Sequence, residues 1–425
     1  MLLVYFVAFV ILILLQVPIS FAMLASSLIF IVVNTQSLVL FAQKSATSLA
    51  DFNMLAIPGF LFVGAFMNEL GLTDRIFDFA KAWIGHFTGG LAHANVVASM
   101  VFAGMSGSAL ADAGGLGQIE VKAMRDAGYD PNFSVAVTAA SSTIGPIIPP
   151  SINFVIWAFL SQCSTLAMFL GGLIPGILMG VLMMVWIVIA VKKLHIKCPV
   201  HEKASWNERM HYTWKALPAL GGPAILIGGI MSGAFTPTEC AVVAAGYCVI
   251  VSICYKKFSI KMLNKSLKNA LSSSGMVMAM CATGLIFNWT IVTSGLISYV
   301  ADYLLSTGSI YIVLLVLNAL MLVMGCFIGS MQILIMIAPL LMTIADAFGL
   351  SYIHIGVMAV FNVTLGIITP PMAPALFVTC KATGESFDKS LKYTVQFLIP
   401  LIMTLILITL VPELILWLPR VMGAI

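Results

Sequence analysis

Ser142-Thr-Ile-Gly-Pro-Ile-Ile-Pro-Pro-Ser151 and Thr364-Leu-Gly-Ile-Ile-Thr-Pro-Pro-Met372 each interrupt an otherwise hydrophobic stretch. No helix runs through either intact, because proline removes an amide donor and clashes with the preceding turn. Carbonyls ahead of each Pro-Pro pair therefore lose their helical partners. In a bilayer such a group costs several kcal/mol unless protein, water or an ion satisfies it.

The rest of the chain places these breaks in a bilayer. It has 425 residues, 61% hydrophobic and 8% charged, whereas soluble domains carry about 25% charged residues. Apolar stretches long enough to span the hydrocarbon recur from residue 2 to residue 418, which leaves no sizeable soluble domain. The formal charge of +4 resides in short loops and reads as a topology signal; no nucleic-acid site is indicated. The eight cysteines are scattered through the chain with no Cys-x-x-Cys pair and no nearby histidine cluster, so no metal centre or disulfide framework is expected. The first 15 residues lack a basic n-region and a small-residue cleavage site, so they read as a retained span.

Apolar runs predict about ten spans, at 2–15, 18–33, 50–70, 132–160, 164–191, 216–233, 238–255, 271–294, 351–380 and 394–418. Two further stretches, 90–125 and 309–348, are broken by Ser106-Gly107-Ser108 and by Gly325, Gly329 and Ser330, and read as re-entrant hairpins. This count gathers Arg75, Lys81, Lys122, Arg125 and the later Lys/Arg clusters on one face, leaving Lys44 and Arg420 opposite. By the positive-inside rule both termini are periplasmic. One long helix over 2–33, broken at Pro18, would instead put the N-terminus inside.

Motifs recur at an offset of about 220 residues. Pro18 matches Pro237, Gly71-Leu72 matches Gly295-Leu296, Gly107-Ser108 matches Gly329-Ser330, and Gly145 with Pro149-Pro150 matches Gly366 with Pro370-Pro371. The expected plan is all-α, with two repeats over 1–215 and 216–425. Five crossings in each make the second repeat inverted, a hallmark of secondary transporters. Freed carbonyls and hydroxyls suit a desolvated sodium ion, and a half-helix N-terminus suits an anionic solute.

Other residues admit two readings each. Asp112 follows the first hairpin tip, where a carboxylate complements the positive helix end; at that depth it also qualifies for ion or solute binding. Thr236-Pro-Thr-Glu239 reads as a capping box with proline at the first helical position. Arg125 is an anchor beside Lys122 or a bidentate clamp for a carboxylate. Asn153 serves a polar solute or a neighbouring helix, and Ser142 is a further candidate solute contact. His354 and Asp346 read as interhelical or solvated. Segments 73–86 and 296–306 read as amphipathic arms in the interface.

The chain resembles the large membrane subunit of tripartite ATP-independent periplasmic (TRAP) transporters over nearly its whole length. The matching residues are Ser106-Gly-Ser108 with Ala111-Asp-Ala113, Met124 to Asp130, Gly145 to Ser151, Gly233-Ala-Phe-Thr-Pro-Thr-Glu239 with Ala241, and Thr369-Pro-Pro371. The resemblance implies an elevator-type transporter of the bacterial inner membrane that takes up organic acids with sodium. It also implies two partners: a separate small four-helix membrane subunit and a soluble periplasmic binding protein. Carried over by motif, one sodium lies among Ser106, Ser108, Gly145, Ile148 and Pro150. By the repeat, a second lies among Gly325, Gly329, Gly366, Thr369 and Met372. No cofactor is implied beyond the coupling ion.

Met372-Ala-Pro-Ala375 departs from the Val-Gly pattern of many dicarboxylate-type members, which favours a bulkier acid such as sialic acid over a C4-dicarboxylate. Two rivals remain at this point. A single-component sodium/divalent-anion symporter would need no binding protein, and a membrane-embedded enzyme would need a catalytic constellation that the sequence does not offer.

Overall fold

The computed structural model describes residues 2–193, 195–200 and 202–425, apart from the side chains of residues 2–4, 6, 48, 49 and 106. Among the described residues every regular element is helical. The chain opens with α1 (Leu2–Leu14), α2 (Ile19–Val33) and α3 (Leu38–Leu49), then a single 3-10 turn over Phe52–Leu55 that runs into α4 (Ala56–Glu69). A short helix α5 (Leu72–Ile84) precedes the first hairpin, whose limbs are α6 (Gly90–Ser106) and the kinked pair α7 (Ala109–Gly114) and α8 (Leu116–Asp126). The first broken helix follows as α9 (Pro131–Ser141) and α10 (Ile152–Ser161), and α11 (Thr165–Lys193) crosses back.

The later elements run in a parallel order: α12 (Trp206–Met231), α13 (Pro237–Cys254), α14 (Ile260–Thr293) and the short α15 (Leu296–Leu305). Next come the second hairpin, α16 (Ile310–Gly325) and α17 (Ser330–Phe348), the second broken helix, α18 (Tyr352–Gly366) and α19 (Pro374–Thr383), and finally α20 (Phe387–Leu410) and α21 (Glu413–Val421).

Local chemistry explains most of these boundaries. At α13 the Thr236 hydroxyl accepts from the Glu239 amide at 3.3 Å, and the Glu239 carboxylate accepts from the Thr236 amide at 2.7 Å. This reciprocal pair satisfies two amides that a helix start leaves orphaned, so the capping reading of Glu239 holds. Ser205 and Glu208 repeat the arrangement at α12. Asp130 caps α9 by accepting from the amides of Asn132 and Phe133. Both short arms follow a glycine in the left-handed region, Gly71 at φ 68° and Gly295 at φ 78°, a conformation costly for other residues.

Several expected boundaries need correction. The run expected at 50–70 is preceded by a separate helix, α3, whose polar residues hide it from a search for apolar runs. Helix α12 starts at Trp206 rather than 216, and α14 at Ile260 rather than 271. Their first turns are polar and lie outside the apolar run that revealed the span. The stretch 394–418 is not one helix: α20 ends at Leu410, and α21 begins after Pro412.

Seven of the described helices are long and apolar enough to cross a membrane, and α2, α6, α10, α15, α16 and α18 are shorter apolar helices. The short ones include hairpin limbs and halves of the broken helices. Val181, Val185 and Ile189 expose an apolar stripe on α11, as a lipid-facing surface does. By contrast α18 is buried from Ile353 to Gly366, and α9 from Phe133 to Ser141. These two half-helices run through the protein interior, and the Trp157 indole of α10 ties the two broken helices together by donating to the Tyr352 carbonyl at 2.9 Å.

Candidate functional site

The first break opens where α9 tightens into a 3-10 turn at Ser142–Ile144. The chain then passes through Gly145 and a cis Pro149-Pro150 bond before α10 begins. Ser151 caps α10 by accepting from the Phe154 amide at 3.3 Å, while its own hydroxyl donates to the Pro146 carbonyl. No backbone amide among the described residues reaches the carbonyls of Gly145, Ile148 or Pro150. Carbonyls left open in a buried break are hard oxygen ligands in waiting.

The first hairpin tip closes on this break. Gly107 has φ 57°, and a side chain there would meet the Pro150 carbonyl oxygen at 2.7 Å. Gly145 faces the tip from the other side, its Cβ direction pointing at the Ser108 carbonyl carbon and the Ala109 amide, 3.5 and 3.6 Å away. The structure thus brings Ser108, Gly145 and Pro150 into one junction, whereas the Ile148 side chain packs against Gly176 of α11. Ser106 belongs to the same tip, but its side chain lies outside the described ones.

The second junction is built alike. Gly325, at the end of α16, meets Gly366, at the end of α18, so closely that a Cβ on Gly325 would stand 2.8 Å from the Gly366 Cα. The chain then turns through a cis Pro370-Pro371 bond. No backbone amide among the described residues reaches the Gly325 or Met372 carbonyls, whereas those of Gly366, Thr369 and Gly329 accept from the amides of Thr369, Ala373 and Ile333. The Thr369 hydroxyl donates to Leu365 at 2.8 Å. Gly329 caps α17 beside the Gln332 side chain, and the Met372 side chain is exposed. The second junction therefore offers fewer open carbonyls than the first.

The residues expected near the solute spread out. Ser142 is buried and donates to the Ala139 carbonyl at 2.8 Å. Asn153 is buried in the first turn of α10, and its Oδ1 has no hydrogen-bond partner. Arg125 lies at the far end of α8 from the tip, 3.6 Å from Glu385, at a half-exposed position. It borders a cavity of 190 Å³ that Gln118, Lys122 and Thr383 also line. Asp112 is buried inside the hairpin, and its Oδ2 has no hydrogen-bond partner. His354 is buried, with Nε2 3.0 Å from the Ile408 carbonyl, and Asp346 accepts from the Tyr352 hydroxyl at 2.6 Å.

A buried polar network beside the first junction went unread in the sequence. Ser141 donates to Asn95 Oδ1 at 2.6 Å, and Asn95 Nδ2 donates both to Glu120 and to Thr138, each at 2.7 Å. Glu120 sits between Gln118 and Lys122 in a polar stretch, so its local sequence reads as a solvated face. The available signal was helical spacing, since Glu120 shares a buried stripe with Leu116, Gly117 and Met124.

Two solved structures share this fold. The Alcanivorax borkumensis YdaH transporter superposes with a TM-score of 0.61 at 14% identity, covering 88% of each chain. Neisseria gonorrhoeae MtrF, from a class of antimetabolite efflux pumps, gives 0.57 at 12% identity, covering 87% of this chain and 84% of its own. At such identity the likeness is one of fold alone.

Sequence relatives narrow the class. A family model described as tripartite ATP-independent periplasmic transporter, DctM component, matches residues 6–414, and the chain belongs to that family. It is 39% identical to the sialic acid TRAP transporter large permease protein SiaM of Vibrio cholerae, covering 95% of both chains. Identity to the sialic acid TRAP transporter permease protein SiaT of Haemophilus influenzae is also 39%, over 96% of this chain and 66% of that longer one. The C4-dicarboxylate TRAP transporter large permease protein DctM of Pseudomonas aeruginosa is 36% identical over 91% and 92% of the two chains. All three are named as permeases, in keeping with a transporter of the inner membrane rather than an enzyme.

Proposed function

We propose that this chain carries an organic acid across the inner membrane with sodium as the coupling ion, sialic acid being the favoured solute and a C4-dicarboxylate the next. The observation that carries the reading is the pair of junctions. In each, a glycine of a hairpin tip is pressed against a proline-broken helix that leaves backbone carbonyls open. One sodium is assigned to Ser106, Ser108, Gly145, Ile148 and Pro150, and a second to Gly325, Gly329, Gly366, Thr369 and Met372.

Coupling follows if ions prop the tips against the breaks and only the loaded unit crosses the scaffold. In this elevator reading the chain divides into inverted repeats over 1–215 and 216–425, both termini are periplasmic, and both hairpins with both broken helices move together. Asn153, with a buried and unpartnered Oδ1, is the side chain best placed to receive a donor from the solute. Asp112, buried behind the first tip, is a further candidate for ion or solute binding. Ser142 is a further candidate solute contact, and Arg125 with Lys122 forms an anchor.

The relatives' names support the choice of solute, since they span sialic acid, C4-dicarboxylates and 2,3-diketo-L-gulonate. The two sialic acid proteins are 39% identical to this chain, against 36% and 33% for the others. By the tripartite family, a separate small membrane subunit and a periplasmic binding protein complete the system.

The test is uptake of radiolabelled sialic acid into proteoliposomes holding the chain and its small subunit, with and without the binding protein. Uptake that needs the binding protein and resists competition by succinate supports both halves of the reading. Uptake without it contradicts the tripartite part, and displacement by succinate moves the solute to the C4-dicarboxylates.

A further inference from the structure

Helix α20 carries one stripe that changes character along its length. Lys389, Lys392 and Gln396 are followed, at the same alternating steps of three and four, by Ile399, Met403, Ile406 and Leu410. That spacing keeps residues on one face of a helix. The two lysines and the four apolar side chains are all exposed. From Lys392 to Leu410 the helix rises about 27 Å, close to the roughly 30 Å of a bilayer's hydrocarbon core. The stripe is therefore cationic at one membrane edge and apolar from there across.

Its cationic end borders a groove of 450 Å³ between α20 and the start of α9, lined by Asn132, Lys389, Lys392, Tyr393 and Gln396. Among the described residues no acid lines it, and neither lysine forms an ion pair. Asn132 Oδ1 accepts from the Ser390 hydroxyl at 3.3 Å, which leaves the amide nitrogen as a donor. Two acids adjoin the groove without facing it. Asp130 is engaged behind it, Oδ1 accepting from the amides of Asn132 and Phe133 and Oδ2 from the Tyr393 hydroxyl at 3.4 Å. Asp388 precedes Lys389 and so sits about 100° around the helix from it.

A second groove serves as a control. Lys81 and Lys203 line a space of 420 Å³ together with Asp78, Glu202 and Glu208, so its cations are matched by carboxylates. Lysines gathered at a membrane edge do not by themselves leave a groove with unbalanced positive charge, whereas the groove at α20 has it.

We propose that the α20 groove holds the phosphodiester of an anionic glycerophospholipid, with an acyl chain lying along Ile399, Met403, Ile406 and Leu410. Basic pockets between helices at a membrane surface suit such headgroups. Lys389 and Lys392 donate to the phosphate oxygens, and the amides of Asn132 and Gln396 donate to phosphate or glycerol oxygens. A free phosphate would meet the same ammonium groups, but it would leave the apolar continuation of the stripe unused. A zwitterionic headgroup carries its own cation, which two unpaired lysines repel.

The test is native mass spectrometry of the purified full chain, titrated with phosphatidylglycerol or phosphatidylethanolamine, with inorganic phosphate as competitor. The proteins compared are the wild type, the double variant Lys389→Gln/Lys392→Gln, and Lys381→Gln, whose lysine lies outside the groove at the end of α19. The apparent affinity for phosphatidylglycerol should fall about tenfold or more in the double variant, as the loss of two lysines beside an anionic lipid implies. It should keep its wild-type value in Lys381→Gln and exceed that for phosphatidylethanolamine. The unfolding temperature reports whether the double variant folds, and phosphatidylglycerol should raise it in the wild type and in Lys381→Gln but not in the double variant. Wild-type affinity in the folded double variant, or equal affinity of the wild type for the two lipids, overturns the proposal. Displacement of phosphatidylglycerol by an equal concentration of phosphate overturns the lipid and leaves a site for the free anion.

Discussion

Gly325 and Gly366 cross backbone against backbone: a Cβ on Gly366 would stand 2.5 Å from the Gly325 Cα. No side chain fits between the two helix ends, so the sequence of the second tip and that of the second break constrain each other. Gly366→Ala should force the hairpin away from the broken helix, an overpacking cost of about 1–3 kcal/mol. The expected outcome is a lowered unfolding temperature in detergent and uptake lost more completely than stability. Gly325→Ala should behave alike, and the double variant should cost less than the sum, because one separation relieves both clashes.

Gly107 tests the first tip by a different route. Its φ of 57° and its approach to the Pro150 carbonyl oxygen both exclude a side chain. Gly107→Ala carries a left-handed backbone cost of about 1–2 kcal/mol in addition to the contact. Uptake should fall sharply while the protein still inserts, which a membrane-fraction blot and a transport assay on the same preparation would show.

Thr236 should matter for stability alone. Its hydroxyl caps α13 at an exposed position, and Thr236→Ala should cost about 1 kcal/mol. The unfolding temperature should drop slightly and the KM for the solute should stay unchanged. A KM change would mean that this end of α13 contacts the solute or a partner.

Arg125 and Glu385 form a partly exposed pair at 3.6 Å, and pairs of this kind contribute about 0–1 kcal/mol. Arg125→Gln and Glu385→Gln should therefore have equal, small effects on stability and leave the KM alone. A raised KM in Arg125→Gln but not in Glu385→Gln would restore Arg125 as a clamp on the solute carboxylate.

What the sequence disclosed follows from how local each signal is. The breaks at Pro149-Pro150 and Pro370-Pro371, the tip at Gly107 and the cap at Thr236 and Glu239 are legible because proline, glycine and a capping box act on their own few residues. Helix α3 and the polar starts of α12 and α14 were hidden because hydropathy reports the membrane and not the helix. Ser205 and Glu208 could have marked the true start of α12, since they repeat the pattern read at Thr236 and Glu239. Glu120 was illegible because its partner Asn95 lies 25 positions before it and Thr138 18 positions after, and only the folded hairpin brings them together. The Arg125–Glu385 pair is likewise a product of tertiary structure.

The central claim is that sodium held where the first tip meets the first break drives accumulation of the solute. The direct measurement is initial uptake and final accumulation of sialic acid in proteoliposomes with the binding protein, under an inward sodium gradient and under an equal potassium gradient, for the wild type and Gly145→Val. Valine at 145 would push its methyl groups into the Ser108 and Ala109 backbone. The account predicts accumulation above equilibrium with sodium only, abolished in Gly145→Val. Equal accumulation with potassium, or wild-type sodium dependence in Gly145→Val, would contradict it.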